Sequence, residues 1–298
     1  MTEPGLDRAA VRQSLLGLGV RPSKRLGQNF LCSPSAARRI VAEATRGAPT
    51  CIVEIGPGLG SITRRLAETS IPVVAVEVDR RLAEYLTGQF AGHPSVEIRA
   101  GDALEVELRT IAAAHGERLT VVGSIPYSIT APILKKLVSE RAAIRSAVLV
   151  TQREVAEKVA ASPGRDGSSL GIYIQAYADV EVLERIPRGA FFPVPEVDST
   201  LWALRFGRPR RFEASEAAFF AVVRALYGAR RKTAKNALGR LLSAENVESV
   251  LKRAGVDGGL RGETFGFPEL DAIAWSVDAE KCLPDGAAGR ESEEILGS

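Results

Sequence analysis

Glycines and carboxylates recur where predicted buried strands end, a spacing typical of a nucleotide-binding edge. The loop "EIGPGLGS" (54–61) supplies Gly56, Gly58 and Gly60. A dinucleotide-binding loop requires the pattern G-x-G-x-x-G, and Ser61 stands where the third glycine would be. The loop therefore allows a ligand to approach the backbone closely without providing the geometry for a pyrophosphate. A glycine-rich turn without any ligand is the alternative.

Two acidic residues stand near the ends of the next two predicted strands. Glu77 stands near the end of "VVAVEVD", where a carboxylate could accept both ribose hydroxyls of an adenosine. Asp102 follows "VEIRAG", where it could accept from an adenine amino group. Each could be a solvated strand-end residue if considered alone. In an open α/β sheet ligands bind at these carboxyl ends. Together the loop and the two carboxylates favour S-adenosylmethionine over NAD.

The segment "GSIPY" (123–127) indicates a different chemistry at the end of the fourth predicted strand. Pro126 ends the strand, which frees the carbonyls of Ser124 and Ile125 to face a substrate. Tyr127 offers a face on which a flat base can stack, worth about 1–3 kcal/mol per base. Acceptors beside an adenine N6 amine, a weak nucleophile, would stabilise the charge that builds up during methyl transfer. The alternative is a proline-terminated strand with a core tyrosine.

The elements that position these residues follow from the hydropathy pattern. Val- and Ile-rich runs alternate with amphipathic segments from Cys51 to Val150, which is typical of a parallel sheet covered on both faces. Residues 170–186 and 199–206 predict two longer strands, and the loop between them is too short for a crossover helix. From Glu213 the pattern is helical. We expect an α/β fold with a Rossmann-like S-adenosylmethionine-dependent methyltransferase sheet, an antiparallel edge and a small all-α C-terminal domain.

These patterns predict four consecutive regions. They are an N-terminal extension (1–20), a catalytic domain that binds S-adenosylmethionine (21–207), a helical domain (208–278) and a disordered tail (279–298) that lacks core-forming residues from Asp285 onward. Cations at helical spacing could form a basic RNA-binding face on the helical domain: Arg224, Arg230, Arg231, Lys232, Lys235 and Arg240. A solvated charged face is the alternative reading of this cluster.

Composition limits the other possibilities. The net charge of the 298 residues is +3, so a nucleic-acid surface must be a local patch. The 3 cysteines show no metal-ligand spacing and no disulfide framework, and the 2 histidines lie in loop-like surroundings. No stretch has the apolar length of a membrane span. We expect a cytoplasmic, monomeric protein with no metal and no membrane partner.

Eight motifs occur in a fixed order along the chain: "KRLGQNFL" (24–31), "VEIGPGLGSIT" (53–63), "EVD" (77–79), "GDAL" (101–104), "SIPY" (124–127), "FFPVPEVDS" (191–199), "RRKTAKNAL" (230–238) and "RGETF" (261–265). Together they resemble one family, the ribosomal RNA adenine dimethyltransferases of the kasugamycin-sensitivity type, which modify the small subunit. The resemblance covers about residues 20 to 278. The last two motifs separate this branch from the related macrolide-resistance enzymes, which act on large-subunit RNA.

The resemblance implies a role for particular residues. The donor site would fall on Gln28, Asn29, Leu31, Gly56, Gly58, Glu77, Asp102 and Ser124. Tyr127 would stack on the target base and Phe192 would close over its other face, so that Ser124, Tyr127 and Phe192 form the catalytic set. The implied reaction is N6,N6-dimethylation of two adjacent adenosines in a hairpin loop near the 3′ end of 16S rRNA, in the immature small subunit.

Ser124 departs from the family pattern, which usually has Asn and sometimes Asp at this position. A hydroxyl can accept a hydrogen bond, but it is shorter than a carboxamide. The sequence therefore leaves open a second hypothesis, a ribosome-assembly factor that binds the immature small subunit with little or no catalysis. The other donor-site positions match the family, which favours the enzyme.

Overall fold

In a computed structural model the described residues are 6–116 and 118–283. The strands within these ranges are β1 (Phe30–Leu31), β2 (Ile52–Ile55), β3 (Val73–Glu77), β4 (Val96–Ala100), β5 (Leu119–Ser124), β6 (Ile144–Gln152), β7 (Asp179–Ile186), β8 (Phe191–Phe192) and β9 (Ser199–Arg205). The α-helices are α1 (Arg8–Gly17), α2 (Pro34–Ala44), α3 (Thr63–Ala67), α4 (Arg80–Gln89), α5 (Leu108–His115), α6 (Thr130–Ser139), α7 (Arg153–Ala160), α8 (Ser169–Gln175), α9 (Glu216–Tyr227), α10 (Ala234–Leu238), α11 (Ala244–Ala254) and α12 (Phe267–Ala279).

The main sheet has seven strands in the order β4-β3-β2-β5-β6-β9-β7. The strands from β4 to β6 are parallel, whereas β9 runs antiparallel to both β6 and β7. The predicted parallel sheet with an antiparallel edge is therefore confirmed. From β2 the chain continues to β3 and β4 on one side, and β5 and β6 lie on the other side. The carboxyl ends of β2 and β5 therefore flank a topological switch point.

Strands β2 and β3 are buried along their whole length because helices cover both faces of the sheet. Every residue of β2 and β3 is buried, including Glu54 and Glu77. The close pairing of β2 with β5 requires a glycine at position 123. A Cβ there would lie 2.6 Å from the carbonyl oxygen of Ile55. This explains why the apolar run of β5 is interrupted by a glycine just before Ser124.

The predicted strand over residues 170–186 is partly wrong. Only its second half is a strand, β7, and its first half is the helix α8. The Ser168 hydroxyl caps α8 by accepting from the Gly171 N–H at 3.0 Å. Tyr173 lies in this helix and Tyr177 follows it by two residues, and their rings pack edge-on against Phe220 of α9 and Phe212 of the preceding loop. Tertiary packing of aromatic rings thus overrides the β propensity of this segment.

The chain forms two compact units. Among the described residues, the first unit comprises those up to Ala156 together with Asp179–Gly207, and the second comprises Glu157–Ala178 together with those from Arg208 onward. The sequence predicted one domain over all of 21–207. This prediction is corrected for residues 157–178, which belong to the second unit. Their assignment has a physical reason, since Tyr173 and Tyr177 belong to the aromatic core of the second unit.

Helix α1 is an integral part of the first unit, although the sequence suggested a simple extension. Val11 and Leu15 are buried in a cluster with Phe30 of β1, and Phe192 of β8 packs against the same cluster. Strands β1 and β8 pair antiparallel, with Phe30 opposite Phe192 and Leu31 opposite Phe191. The N-terminal helix therefore covers a small second sheet.

The C-terminal helix α12 extends through Ala279, one residue into the predicted tail. The remainder of that tail from residue 284 lies outside the described residues. Within residues 6–116 and 118–283, every helix is too short or too polar to cross a membrane.

Candidate active site

The carboxyl ends of β2, β3, β4 and β5 converge on a cavity in the first unit. All the residues that were predicted to bind the donor line it: Gln28, Asn29, Leu31, Gly56, Gly58, Glu77, Asp102 and Ser124. Tyr127 lines it as well. Residues from distant parts of the sequence meet here because parallel strands bring their carboxyl ends to the same edge.

Glu77 is the last residue of β3 and is almost completely buried at this edge. One carboxylate oxygen accepts the Gly58 N–H and the other accepts the Asp79 N–H, each at 2.9 Å. Burial raises the pKa of Glu77, while these backbone hydrogen bonds oppose the shift. An ionised carboxylate has about four acceptor positions. Glu77 can therefore hold the glycine loop and still accept hydrogen bonds from a ligand.

Gly56 is the first residue of the loop between β2 and α3 and lines the cavity. Its φ is +67°, a conformation that favours glycine, and a Cβ at this position would have no protein atom within 4 Å. Because Gly56 lines the cavity, a side chain here would extend into the space that a ligand could use.

Gln28 connects the segment before β1 to the helix that follows β3. Its amide nitrogen donates to Asp79 Oδ2 at 3.1 Å, and its amide oxygen accepts the Ser23 N–H at 2.8 Å. Asp79 in turn caps α4 by accepting from the Arg81 N–H. These contacts hold the segment that contains Asn29 and Leu31 against the cavity.

Asp102 follows β4, and one of its carboxylate oxygens accepts the Leu104 N–H at 2.9 Å. The hydrogen bond holds a turn, and the second oxygen keeps acceptor capacity in a residue that lines the cavity. Asp102 and Glu77 thus lie at neighbouring strand ends, since β3 and β4 are adjacent.

Ser124 and Tyr127 lie at the end of β5, next to β6. Ser124 pairs in register with Val150, and Pro126 directs the chain into a helical turn that begins at Tyr127. The tyrosine is 38% exposed. Burial raises the pKa of its hydroxyl, opposed by hydrogen bonds with Gln152 and Ser199. The ring is therefore accessible while its hydroxyl is anchored.

Of the two phenylalanines in "FF", Phe191 lines the cavity as a member of a buried core cluster, and Phe192 does not line it. Phe192 packs with the cluster beneath α1. Successive residues of a strand point to opposite faces, so the two rings of "FF" cannot share one side. The predicted placement of Phe192 against the target base is corrected accordingly. The alternation within β8 could have shown that only one ring faces the cavity.

Sequence reasoning also missed Glu54. It lines the cavity, is 1% exposed, and accepts a hydrogen bond from the Thr63 hydroxyl at 2.7 Å. Burial raises its pKa from the ordinary value of 4.5 to about 8, and the negative charge of Glu77 acts in the same direction. A carboxylate inside the apolar run "CIVEIG" was the available signal, because a charged residue in a buried strand needs a special reason.

The predicted basic face is split in the second unit. Arg230 donates to Glu263 at 3.0 Å and to the carbonyl oxygens of Arg165 and Gly167, so it joins "RRKT" to "RGETF". Lys235 pairs with Glu248, and Arg224 is partly buried. Exposed cations remain at Arg231, Lys232 and Arg240. In the described part of the chain, no group of three or more His, Cys, Asp or Glu is arranged to hold a metal.

Residues 20–262 match the family model of the ribosomal RNA adenine dimethylases. The chain belongs to this family. It is an rRNA adenine dimethyltransferase, as two relatives illustrate. The enzyme is 40% identical over 281 residues to the ribosomal RNA small subunit methyltransferase A of Moorella thermoacetica, covering 91% of this chain and 96% of the relative. It is 41% identical over 265 residues to the protein of the same name from Geobacter sulfurreducens, covering 86% and 95%.

Two solved structures share the fold. The 23S rRNA methyltransferase ErmE is 30% identical with a TM-score of 0.66, covering 84% of this chain and 100% of the ErmE chain. A dimethyladenosine transferase from Plasmodium falciparum has a TM-score of 0.71 at 20% identity, covering 85% and 99%. The enzyme therefore has the α/β fold of the S-adenosylmethionine-dependent rRNA methyltransferases, as the sequence predicted.

Proposed function

We propose that this enzyme dimethylates N6 of two adjacent adenosines in a hairpin loop near the 3′ end of small-subunit (16S) rRNA. The observation that carries the proposal is a single cavity that joins two strand-end carboxylates, Glu77 and Asp102, to the segment Ser124–Tyr127. The greater identity to small-subunit enzymes than to ErmE supports the choice of RNA. We further propose that it acts as a cytoplasmic monomer on the immature subunit, without a metal.

The cavity fits S-adenosylmethionine, which would supply an electrophilic methyl group. Glu77 is suited to accept ribose hydroxyls, because both of its oxygens keep acceptor capacity beyond their backbone donors. Asp102 is suited to accept from an adenine amino group with the oxygen that does not hold the turn. Gln28 ties the preceding segment to Asp79 and so would help to close that segment over the donor.

The opposite part of the cavity is suited to a base that has left its stack. Tyr127 offers an accessible face, with its hydroxyl held by Gln152 and Ser199. Phe191 supplies an apolar wall on the segment that also carries Ser199. Ser124 Oγ and the carbonyl of Ile125 are the acceptors that we assign to the target amine, where they would stabilise its developing positive charge.

Because of Ser124, a second candidate function is an assembly factor with weak catalysis. A shorter acceptor at this position could leave the target amine without its main hydrogen bond. The first function is favoured because Glu77, Asp102 and Tyr127 are present together on the cavity wall. A chain that only bound the subunit would not need that combination.

The test offers purified enzyme and radiolabelled S-adenosylmethionine to immature small subunits, with deproteinised large-subunit RNA in parallel. Primer extension and nucleoside analysis then locate the label. We expect dimethyladenosine at two adjacent positions near the 3′ end of the small-subunit RNA, and background label with Tyr127→Ala. Subunit binding without any label would support the assembly factor, and label in the large-subunit RNA would overturn the choice of target.

A further inference from the structure

Helix α1 lies before the residues that match the family model, 20–262, yet it packs on the strand that leads to the aromatic wall. Its buried face carries Val11 and Leu15, which are 0% and 3% exposed. Phe192 packs against the cluster that these residues form with Phe30. The helix is therefore in a position to influence the β8 segment.

Arg8 of this helix holds the backbone of that segment directly. Its Nη2 donates to the carbonyl oxygen of Gly189 at 2.6 Å and to that of Phe191 at 3.1 Å. The intervening carbonyl of Ala190 accepts from the Cys32 N–H at 2.8 Å. Charged donors make strong hydrogen bonds to carbonyls. Three consecutive carbonyls are thus fixed from two sides, by α1 and by the residue after β1.

Arg12, one turn further along α1, lies over the Phe192 ring. Its guanidinium carbon is 6.0 Å from the ring centroid, at the outer limit of a cation–π contact. The ring also packs with the cluster beneath the helix. Adjacent side chains of a strand project to opposite faces, so holding Phe192 on this side directs Phe191 toward the cavity.

We propose that Arg8 and Arg12 are positioning residues that set the aromatic wall formed by Phe191. Neither arginine lines the cavity, so both would act through the segment from Gly189 to Phe192. The inference rests on the proposed role of Phe191 beside the target base. A small displacement of such a wall is costly, because misplacement by about 1 Å can slow a reaction on the order of a hundredfold.

The test uses the full-length enzyme with Arg8→Ala, Arg8→Lys and Arg12→Ala, and with Gln13→Ala as the matched control on the exposed side of α1. Single-turnover methylation is measured at saturating immature subunits and saturating donor. Calorimetry gives the dissociation constant of S-adenosylmethionine, and thermal unfolding shows that each variant is folded.

We expect Arg8→Ala and Arg12→Ala each to lower the single-turnover rate constant about tenfold. The donor dissociation constant should stay within about twofold of the parent. Arg8→Lys should recover much of the rate, since an ammonium can still donate to carbonyls. Rates equal to that of Gln13→Ala, or a loss of donor affinity in parallel with the rate, would overturn the proposal.

A double-mutant cycle separates positioning from general stability. We expect Arg8→Ala to cause little further loss in a Phe191→Leu background, because residues that act through each other are not additive. Full additivity would show that Arg8 acts elsewhere. If Phe191→Leu reacted slowly but Arg8→Ala reacted at the parental rate, the positioning role of Arg8 would be overturned and the role of Phe191 would stand. If Phe191→Leu reacted at the parental rate, the role of Phe191 in the proposed function would fail as well.

Discussion

At the scale of single residues, Glu77 combines a structural and a binding task. Its two oxygens hold the N–H groups of Gly58 and Asp79, and the same carboxylate faces the cavity. We predict that Glu77→Ala weakens S-adenosylmethionine binding by about 1.5–3 kcal/mol, or roughly ten- to hundredfold, because charge-assisted acceptors are lost. Calorimetric titration measures this, with exposed Glu84→Ala as the control. An unchanged dissociation constant would remove Glu77 from the donor site.

Tyr127 separates a ring effect from a hydroxyl effect. Tyr127→Ala removes the accessible face and should lose most methyl transfer while donor binding is retained. Tyr127→Phe loses the hydrogen bonds to Gln152 and Ser199 but keeps the ring, so we expect it to retain much of the activity. Single-turnover methylation of immature small subunits measures both variants. Normal methylation by the Ala variant would make Tyr127 a core residue and exclude base stacking here.

Ser124 tests how much the side chain at the end of β5 contributes. Loss of one essential transition-state hydrogen bond costs about 2.7–4 kcal/mol, but the carbonyl of Ile125 and a bridging water can share this task. We predict that the parent is active, that Ser124→Ala is slower and that Ser124→Asn is equal or faster. The measurement counts mono- and dimethylated adenosine in single turnovers. An inactive parent that Ser124→Asn restores would favour the assembly factor.

At the scale of elements, a buried carboxyl group of β2 is hydrogen-bonded to the first residue of α3. Glu54 in β2 accepts from Thr63 at the start of α3, and burial raises its pKa to about 8. Between pH 4.5 and about pH 8, Glu54 is therefore mostly protonated in the folded protein but ionised in the unfolded chain. By linkage, the stability that this group contributes is complete below about pH 4.5 and is lost as the pH rises through about 8.

We predict that Glu54→Gln removes this pH dependence, because an amide keeps the size and the hydrogen bond but does not titrate. The variant should gain stability relative to the parent as the pH rises from 5 to 8.5 (urea unfolding at about half-unit steps). Exposed Glu84→Gln is the matched control. A difference between variant and parent that stayed constant over this range would place the titration elsewhere.

At the scale of the whole molecule, a net charge of +3 means that RNA binding must rely on local cations. We predict that replacing Arg231 and Lys232 with Ala flattens the salt dependence of RNA affinity by about 1.5 in logarithmic slope, since each lost phosphate contact contributes about 0.7–0.9. Filter binding at several salt concentrations measures the slope. Arg230→Ala should instead lower the melting temperature, because Arg230 is bound to Glu263 and to two carbonyl oxygens. An unaltered slope would show that other cations contact the RNA phosphates, and the next candidates would be the N-terminal Arg21, Lys24 and Arg25.

The sequence alone determined the sheet class and the residues at its carboxyl edge. Hydropathy alternation is local, and parallel strands bring their ends together by rule, so Gly56, Glu77 and Asp102 could be placed in one cavity before any coordinates. Glycine at position 123 is explained by the same strand pairing, although only the coordinates show its contact with Ile55.

Tertiary structure decided what depends on contacts between distant segments. Only packing shows that Phe191 and not Phe192 lines the cavity, and that Arg230 is bound to Glu263. The helix α8 forms where the β propensity of its residues predicted a strand, because Tyr173 and Tyr177 join an aromatic core more than thirty residues away in sequence. Local patterns report the preferences of a segment, and its partners across the fold settle which side chains are buried, paired or free to bind.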